Sequence, residues 1–247
     1  MFHIMVNSKT FFFFWKETTR QFGPFILLII ALFFPKSSFS QESQMDSLRI
    51  LADNSTDYED KLTYLLQIAN GYNPSDLEKA IKIGKEAEAI AAENSSFIFL
   101  GQFNTAIGRA FANLGQLDSA LYYFRIANKY SHLADDIAGI ANAYSKINYV
   151  FLYQGVYDSA IYYGYESIKI FETLDDPVGL SISYLNIADA LEAQANLPKA
   201  LFYCLKALKA VEHLENSPDL ANVLDNLSFF YTRLENYDSA MYYVNRS

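Results

Sequence analysis

The sequence predicts an all-α fold, a right-handed solenoid of antiparallel helix pairs, and three observations carry that reading. First, the phrases "LDSALYY", "YDSAIYY" and "YDSAMYY", beginning at Leu117, Tyr157 and Tyr237, recur on one grid, with "LPKALFY" filling the gap. The grid alanines are Ala80, Ala120, Ala160, Ala200 and Ala240, a period of 40 residues that holds through five units without an insertion. Second, apolar residues inside a unit keep helical spacing: Leu180, Tyr184, Ile187 and Leu191 form one stripe, as do Ile140, Tyr144, Ile147 and Phe151. Third, no segment alternates as a strand would, which removes a propeller, whose blades need four short strands each. A lone helix pair leaves an apolar face bare, so units of this kind must stack.

Taken in order, the chain opens on a segment to be set aside. Lys9, Lys16 and Arg20 precede the apolar run "FILLIIALFF" from Phe25 to Phe34, and "PKSSFS" follows before Gln41. Basic stretch, short apolar core and small residues are the order of a secretory signal, with cleavage expected after Ser40. The run is shorter than the roughly 20 residues that span a bilayer. The alternative is an uncleaved membrane anchor that recruits "FFFFW", with Lys16, Glu17 and Arg20 then inside the span. Residues 41–56 read as an N-terminal capping segment, and residues 57–247 as the solenoid, its fifth unit truncated.

Within each unit a first helix carries the apolar stripe and a second carries the grid alanine, as in Ala120, Phe124, Ala127 and Tyr130. The stripe recurs as Leu220, Leu224, Leu227 and Tyr231, while its earliest copy has Asn104 in place of a large residue. Asp176-Pro177 and Ser217-Pro218 read as an N-cap followed by proline at the first helical position. Gly115 and Gly155 mark the turn inside a unit.

Composition narrows the function. The net charge of −9 falls to −12 without residues 1–40, which hold four basic residues and one acidic. Phosphate backbones are bound largely through Lys and Arg, so no nucleic-acid partner is expected. The single Cys204 allows no internal disulfide and no cysteine metal cluster. There is no glycine-rich phosphate loop, no metal-ligating spacing and no calcium-loop pattern in "LADD" or "LDDP", so neither cofactor nor metal is expected. The serine of Asp-Ser-Ala has no base: His3 leaves with the signal, His132 and His213 sit near loops, and Lys79 and Lys199 replace the serine in two units. The expectation is a non-enzyme.

The stretches "YLNIADALEAQANLPKALFYCLKAL" and "LDNLSFFYTRLENYDSAMYY" resemble the tetratricopeptide repeat, with Tyr184, Asn186, Ile187, Ala188, Leu191, Ala195, Ala200 and Ala207 on its pattern positions. HEAT-type repeats share the period but not the Gly-x-x-Asp-x-Ala turn. The unit is longer than the usual 34 residues, a form that resembles repeats of exported and sensory Bacteroidota proteins. One departure stands out: the large residue expected four positions after the grid alanine is Phe124 once, but Gly84, Gly164, Cys204 and Val244 elsewhere. The tyrosines just before are expected to fill that volume.

The resemblance implies a concave groove lined by the first helices that holds an extended peptide or a partner's helix. Its positions fall on Arg109; Ser145, Lys146 and Tyr149; Asn186, Asp189 and Glu192; Asn226, Phe229 and Arg233. Asn186 and Asn226 match the family asparagine that bonds a peptide backbone; the alternative is that they cap or bridge neighbouring helices. The basic set that grips a C-terminal carboxylate in chaperone-binding members is not reproduced. Asp-Ser followed by a small or aliphatic residue also resembles the acceptor of protein O-glycosylation in exported Bacteroidota proteins, which marks Ser47, Ser119, Ser159 and Ser239.

The last helix begins near Tyr237 and the sequence stops at Ser247, leaving Ala240, Met241 and Val244 to face outward. A second copy, a partner, or further chain is expected to cover that end. The expected function is a periplasmic or secreted peptide-binding scaffold. The alternative is the input domain of a membrane signalling protein, a histidine kinase or DNA-binding regulator, whose output part lies beyond residue 247.

Overall fold

A computed structural model describes residues 41–72 and 76–247. The expected signal segment, residues 1–40, lies outside the described residues. The chain divides into two units, residues 1–47 and 48–247.

The described residues form eleven helices and no strand: α1 Gln41–Asn54, α2 Tyr58–Gly71, α3 Leu77–Glu93, α4 Phe97–Asn113, α5 Leu117–Leu133, α6 Ile137–Tyr153, α7 Tyr157–Leu174, α8 Pro177–Ala193, α9 Leu197–Val211, α10 Pro218–Arg233 and α11 Tyr237–Val244. Helices α2 to α11 all belong to the second unit. From α2 onward, each helix packs against the next. The even-numbered helices also pack against one another in a row, α2 on α4, α4 on α6, α6 on α8 and α8 on α10. The odd-numbered helices make no comparable contact with their odd neighbours. The right-handed α-solenoid of helix pairs therefore has an inner row of first helices and an outer row of second helices. None of the described helices is long and apolar enough to cross a membrane.

Punctuation follows the period. The first helices of four units start on side-chain caps: Asp57 accepts from the N–H of Glu59 at 2.8 Å, Asp136 and Asp176 from those of Gly139 and Gly179 at 2.9 Å, and Ser217 from that of Asp219 at 3.1 Å. Inside each of the last four units the first helix ends on a residue with positive φ, at Gly115 (72°), Gly155 (74°), Ala195 (60°) and Glu235 (60°). The following N–H then reaches back to the carbonyls of Phe111, Phe151, Leu191 and Tyr231 at 2.8–2.9 Å. Ala195 and Glu235 take a left-handed conformation that costs about 1–2 kcal/mol without glycine. Ser95, Asp135 and Asp175 hold the same kind of turn between units.

The core shows what replaces the large residue expected four positions after the grid alanine. The volume beside Gly84 is filled by the next unit's isoleucine, since a Cβ there would lie 2.6 Å from Ile107 Cγ1; beside Gly164 it would lie 2.7 Å from Ile187 Cγ1. At the equivalent positions Phe124 shares a buried cluster with Ile147, and Cys204 shares one with Leu227. The tyrosines go elsewhere: Tyr123, Tyr163 and Tyr243 stack on Phe111, Phe151 and Tyr231 of their own unit, with ring centroids 5.3–5.5 Å apart. Asn104 is fully buried, and its amide donates to Glu88 Oε1 at 2.9 Å and Leu100 O at 2.8 Å.

A test of this fit uses Gly164→Ala. Helix propensity alone favours alanine by about 1 kcal/mol, but the contact with Ile187 predicts a net loss of about 1–2 kcal/mol in urea unfolding. In an Ile187→Ala background the same change becomes neutral or favourable, a coupling of at least about 1 kcal/mol.

Candidate functional site

The inner row repeats two positions that face the groove. One series is Arg109, Tyr149, Asp189 and Phe229; the other is Ala106, Lys146, Asn186 and Asn226. Because α4, α6, α8 and α10 pack side by side, residues 40 apart in sequence become lateral neighbours.

At the N-terminal end, the Arg109 guanidinium on α4 donates to Asn70 Oδ1 on α2. Beside it a cavity of about 350 Å³ is lined by Asn70, Gln102, Thr105, Arg109, Asp136 and Asn142, among others. Burial lowers the Arg109 pKa. Lys146, on α6, is half-buried and makes no hydrogen bond or ion pair among the described residues. Burial first, and the Arg109 charge second, hold its ammonium below the usual lysine range. Tyr149 packs at a tilt against Tyr153, ring centroids 4.4 Å apart, and its phenol pKa is raised by burial and by that neighbour.

In the middle, α8 presents Asn186, Asp189 and Glu192. Asn186 is half-buried and its amide has no partner among the described residues, so it neither caps nor bridges a helix. Burial pushes the Asp189 carboxyl from 3.8 up to about 6, with the Glu192 charge adding to it. Glu192 is tied to Arg233 Nη1 on α10 at 2.9 Å.

At the C-terminal end, the Asn226 amide folds back on its own helix and donates to Asn222 O at 2.8 Å. The two asparagines of the sequence pattern are thus unequal: one is open and the other bonded. Phe229 is about half exposed, with the Arg233 guanidinium 5.7 Å from its ring centroid. Ser145 departs from expectation, since it is buried at 4% exposure in the helix packing and does not line the groove.

The Asp-Ser-Ala phrase acquires a role that its sequence did not suggest. Asp118 and Asp158 accept from Gln154 Nε2 and Gln194 Nε2 of the following unit, at 2.9 and 3.0 Å. The recurrence of glutamine 36 residues after each of these aspartates is the one sequence signal of it. Ser119, Ser159 and Ser239 are half-buried rather than facing water, while Ser47 is exposed. Cys204 is fully buried, and burial raises its thiol pKa, with Asp189 adding to the effect, so it is a packing residue rather than a nucleophile. Asn70 joins the groove without any sequence signal, whereas Tyr153 shares the register of Arg233 and is legible from the period.

The outer row carries a second aromatic feature. Tyr122, Tyr162, Phe202 and Tyr242 are each more than half exposed, and each sits edge-on to the tyrosine after it. Between α7 and α9, Tyr165 and Tyr203 share a 2.5 Å hydroxyl bond above Tyr184, in a cleft of about 430 Å³. Burial and the Tyr165 hydroxyl push the Tyr203 phenol up to about 12. At the last unit Ala240 is covered, but Met241 and Val244 are exposed.

Solved structures share this architecture. BtubC (BKLC) from P. vanneervenii matches with a TM-score of 0.71 at 18% identity, over 84% of this chain and 89% of that one. Aspartyl phosphate phosphatase F from Bacillus subtilis matches with a TM-score of 0.65 at 15% identity, over 83% and 67%. A signal transduction ATPase with a tetratricopeptide repeat sensor from Pyrococcus horikoshii matches with a TM-score of 0.65 at 21% identity, over 79% of this chain and 30% of that one. At these identities the likeness is one of fold, that of tetratricopeptide-like helical repeats. No family model and no curated protein matches the chain.

The Asp189 geometry gives a pH test. Its raised pKa means that between about pH 4 and 6 the folded state holds a proton the unfolded chain has released, so stability falls as pH rises through that window. Asp189→Asn removes the penalty. The variant is expected to be more stable than wild type by roughly 2 kcal/mol at pH 7, with the difference closing towards pH 4, as read from urea midpoints across that range.

Proposed function

We propose that this chain is a non-catalytic scaffold that binds an extended peptide or protein segment along its inner groove, in the periplasm or outside the cell. One observation carries the reading. On adjacent inner helices, Lys146 and Asn186 are half-buried, polar and without a hydrogen-bond partner among the described residues. Neither polar end is sealed from solvent, so two open ones side by side suit a ligand that replaces water on them. Tyr149 and Phe229 flank them and supply aromatic surface of the kind that anchors binding. Placement outside the cytoplasm rests on the signal-like order of residues 1–40.

A second reading is the sensing part of a larger signalling protein. It is favoured by the fold shared with the repeat sensor of the Pyrococcus ATPase. Coding DNA that continues in frame past codon 247 into an output domain would support it, and an immediate stop would remove it.

The scaffold reading is tested by affinity selection from a random peptide library with capped ends. Wild type is expected to enrich a defined set of sequences. Asn186→Ala should weaken the best of them about five- to tenfold, for the loss of one or two hydrogen bonds, and leave the melting temperature unchanged. No enrichment would remove the groove reading, and a large fall in melting temperature would make Asn186 structural.

A further inference from the structure

We propose that the groove selects its peptide through an internal aspartate or glutamate, whose side-chain carboxylate is held between Lys146 and Arg109 where α4 meets α6; this rests on the groove reading. Most cations of the described residues are exposed and need no counter-charge, whereas Arg109 and Lys146 are both half-buried, where a cation needs one. Arg49 pairs with Asp53 and Glu86, Lys79 with Asp76, Lys169 with Glu166, and Arg233 with Glu192. Lys146 and Arg109 form no ion pair among the described residues, although both lie on the inner face.

They also lie on packed helices, since Lys146 on α6 is in register with Ala106 on α4, one turn before Arg109. Two like charges withdrawn from water with no counter-charge destabilise a fold. A single carboxylate placed between them satisfies both, with charge-assisted hydrogen bonds from the ammonium and from guanidinium N–H groups not used on Asn70. The neighbouring carboxylates confine this preference to one place. Asp136 lines the cavity on one side and is engaged with the Gly139 N–H, and Asp189 and Glu192 lie on α8 on the other. A second acidic residue at either flank would meet repulsion.

Position in the row decides what bears the carboxylate. The pair sits between the second and third of five inner helices. The groove runs on towards α2 through the polar cavity at Asn70, Gln102, Thr105 and Asn142, and towards α8 through the open Asn186 amide. A segment lying in it crosses the pair with chain on both sides, so a side chain and not a chain end supplies the carboxylate.

The test uses the full chain and positional-scanning peptide pools, acetylated and amidated so that no terminal carboxylate is present. Wild type should retain pools with Asp or Glu at one internal position about tenfold better than the same pools with Asn or Gln. Lys146→Met should lose that preference, Lys146→Arg should keep it, and both should keep the apolar preferences at other positions. Lys146→Met should melt no lower than wild type, which separates lost recognition from unfolding. An acid preference that is absent, or that persists in Lys146→Met, overturns the proposal while leaving the groove reading standing. Failure to retain any pool overturns the groove reading itself. Stabilisation of wild type but not Lys146→Met by inorganic phosphate, with no acid preference among the pools, would mark a free-anion site and overturn the peptide assignment.

Discussion

The structure depends on one contact repeated four times: the fit between the second helix of a unit and an aliphatic residue on the first helix of the next. Gly84 meets Ile107 and Gly164 meets Ile187, and at the equivalent places Phe124 shares a buried cluster with Ile147 and Cys204 with Leu227. No unit has a closed core of its own, so this contact supplies the surface each pair must bury. Large and small residues alternate across it, and at interior packing density even one methyl group is felt. Gly108 shows the compensation within a unit, since a Cβ there would lie 2.7 Å from the Phe124 ring.

Close packing along the inner row and looser spacing along the outer row follow from the same fit. Along the outer row longer side chains make the links, as Tyr165 to Tyr203 does, while Asp118 and Asp158 reach Gln154 and Gln194 at the ends of the next unit's inner helices. These bonds are exposed, and exposed polar links contribute little each. They track the geometry more than they set it. On the inner face, tight helix packing draws side chains 40 residues apart into one another's surroundings and strips water from them. This explains how Arg109, Lys146 and Asp189 come to be displaced from their ordinary pKa values on a surface that remains open.

The groove thereby acquires a polarity. Unpaired cations sit at α4 and α6, carboxylates at α8, and a paired arginine over an exposed phenylalanine at α10. Such an arrangement costs stability in the free protein, as sites built for a ligand commonly do.

The 40-residue grid, the helical stripes and the Asp-Pro and Ser-Pro starts were enough to determine the helix pairs and their stacking, because periodicity and capping are local properties that each residue carries wherever it folds. The groove positions could be named from the same register. Which of them are open could not. Asn186 and Asn226 occupy equivalent places, yet one is free and the other bonds Asn222, a difference set by the neighbours each one has. Ser145 shared the register and is buried, and the glycines at 84 and 164 gave no hint that an isoleucine from another unit fills their space. Burial, ion pairing and the distance between Lys146 and Arg109 depend on residues brought together across units, and only the tertiary structure decides those.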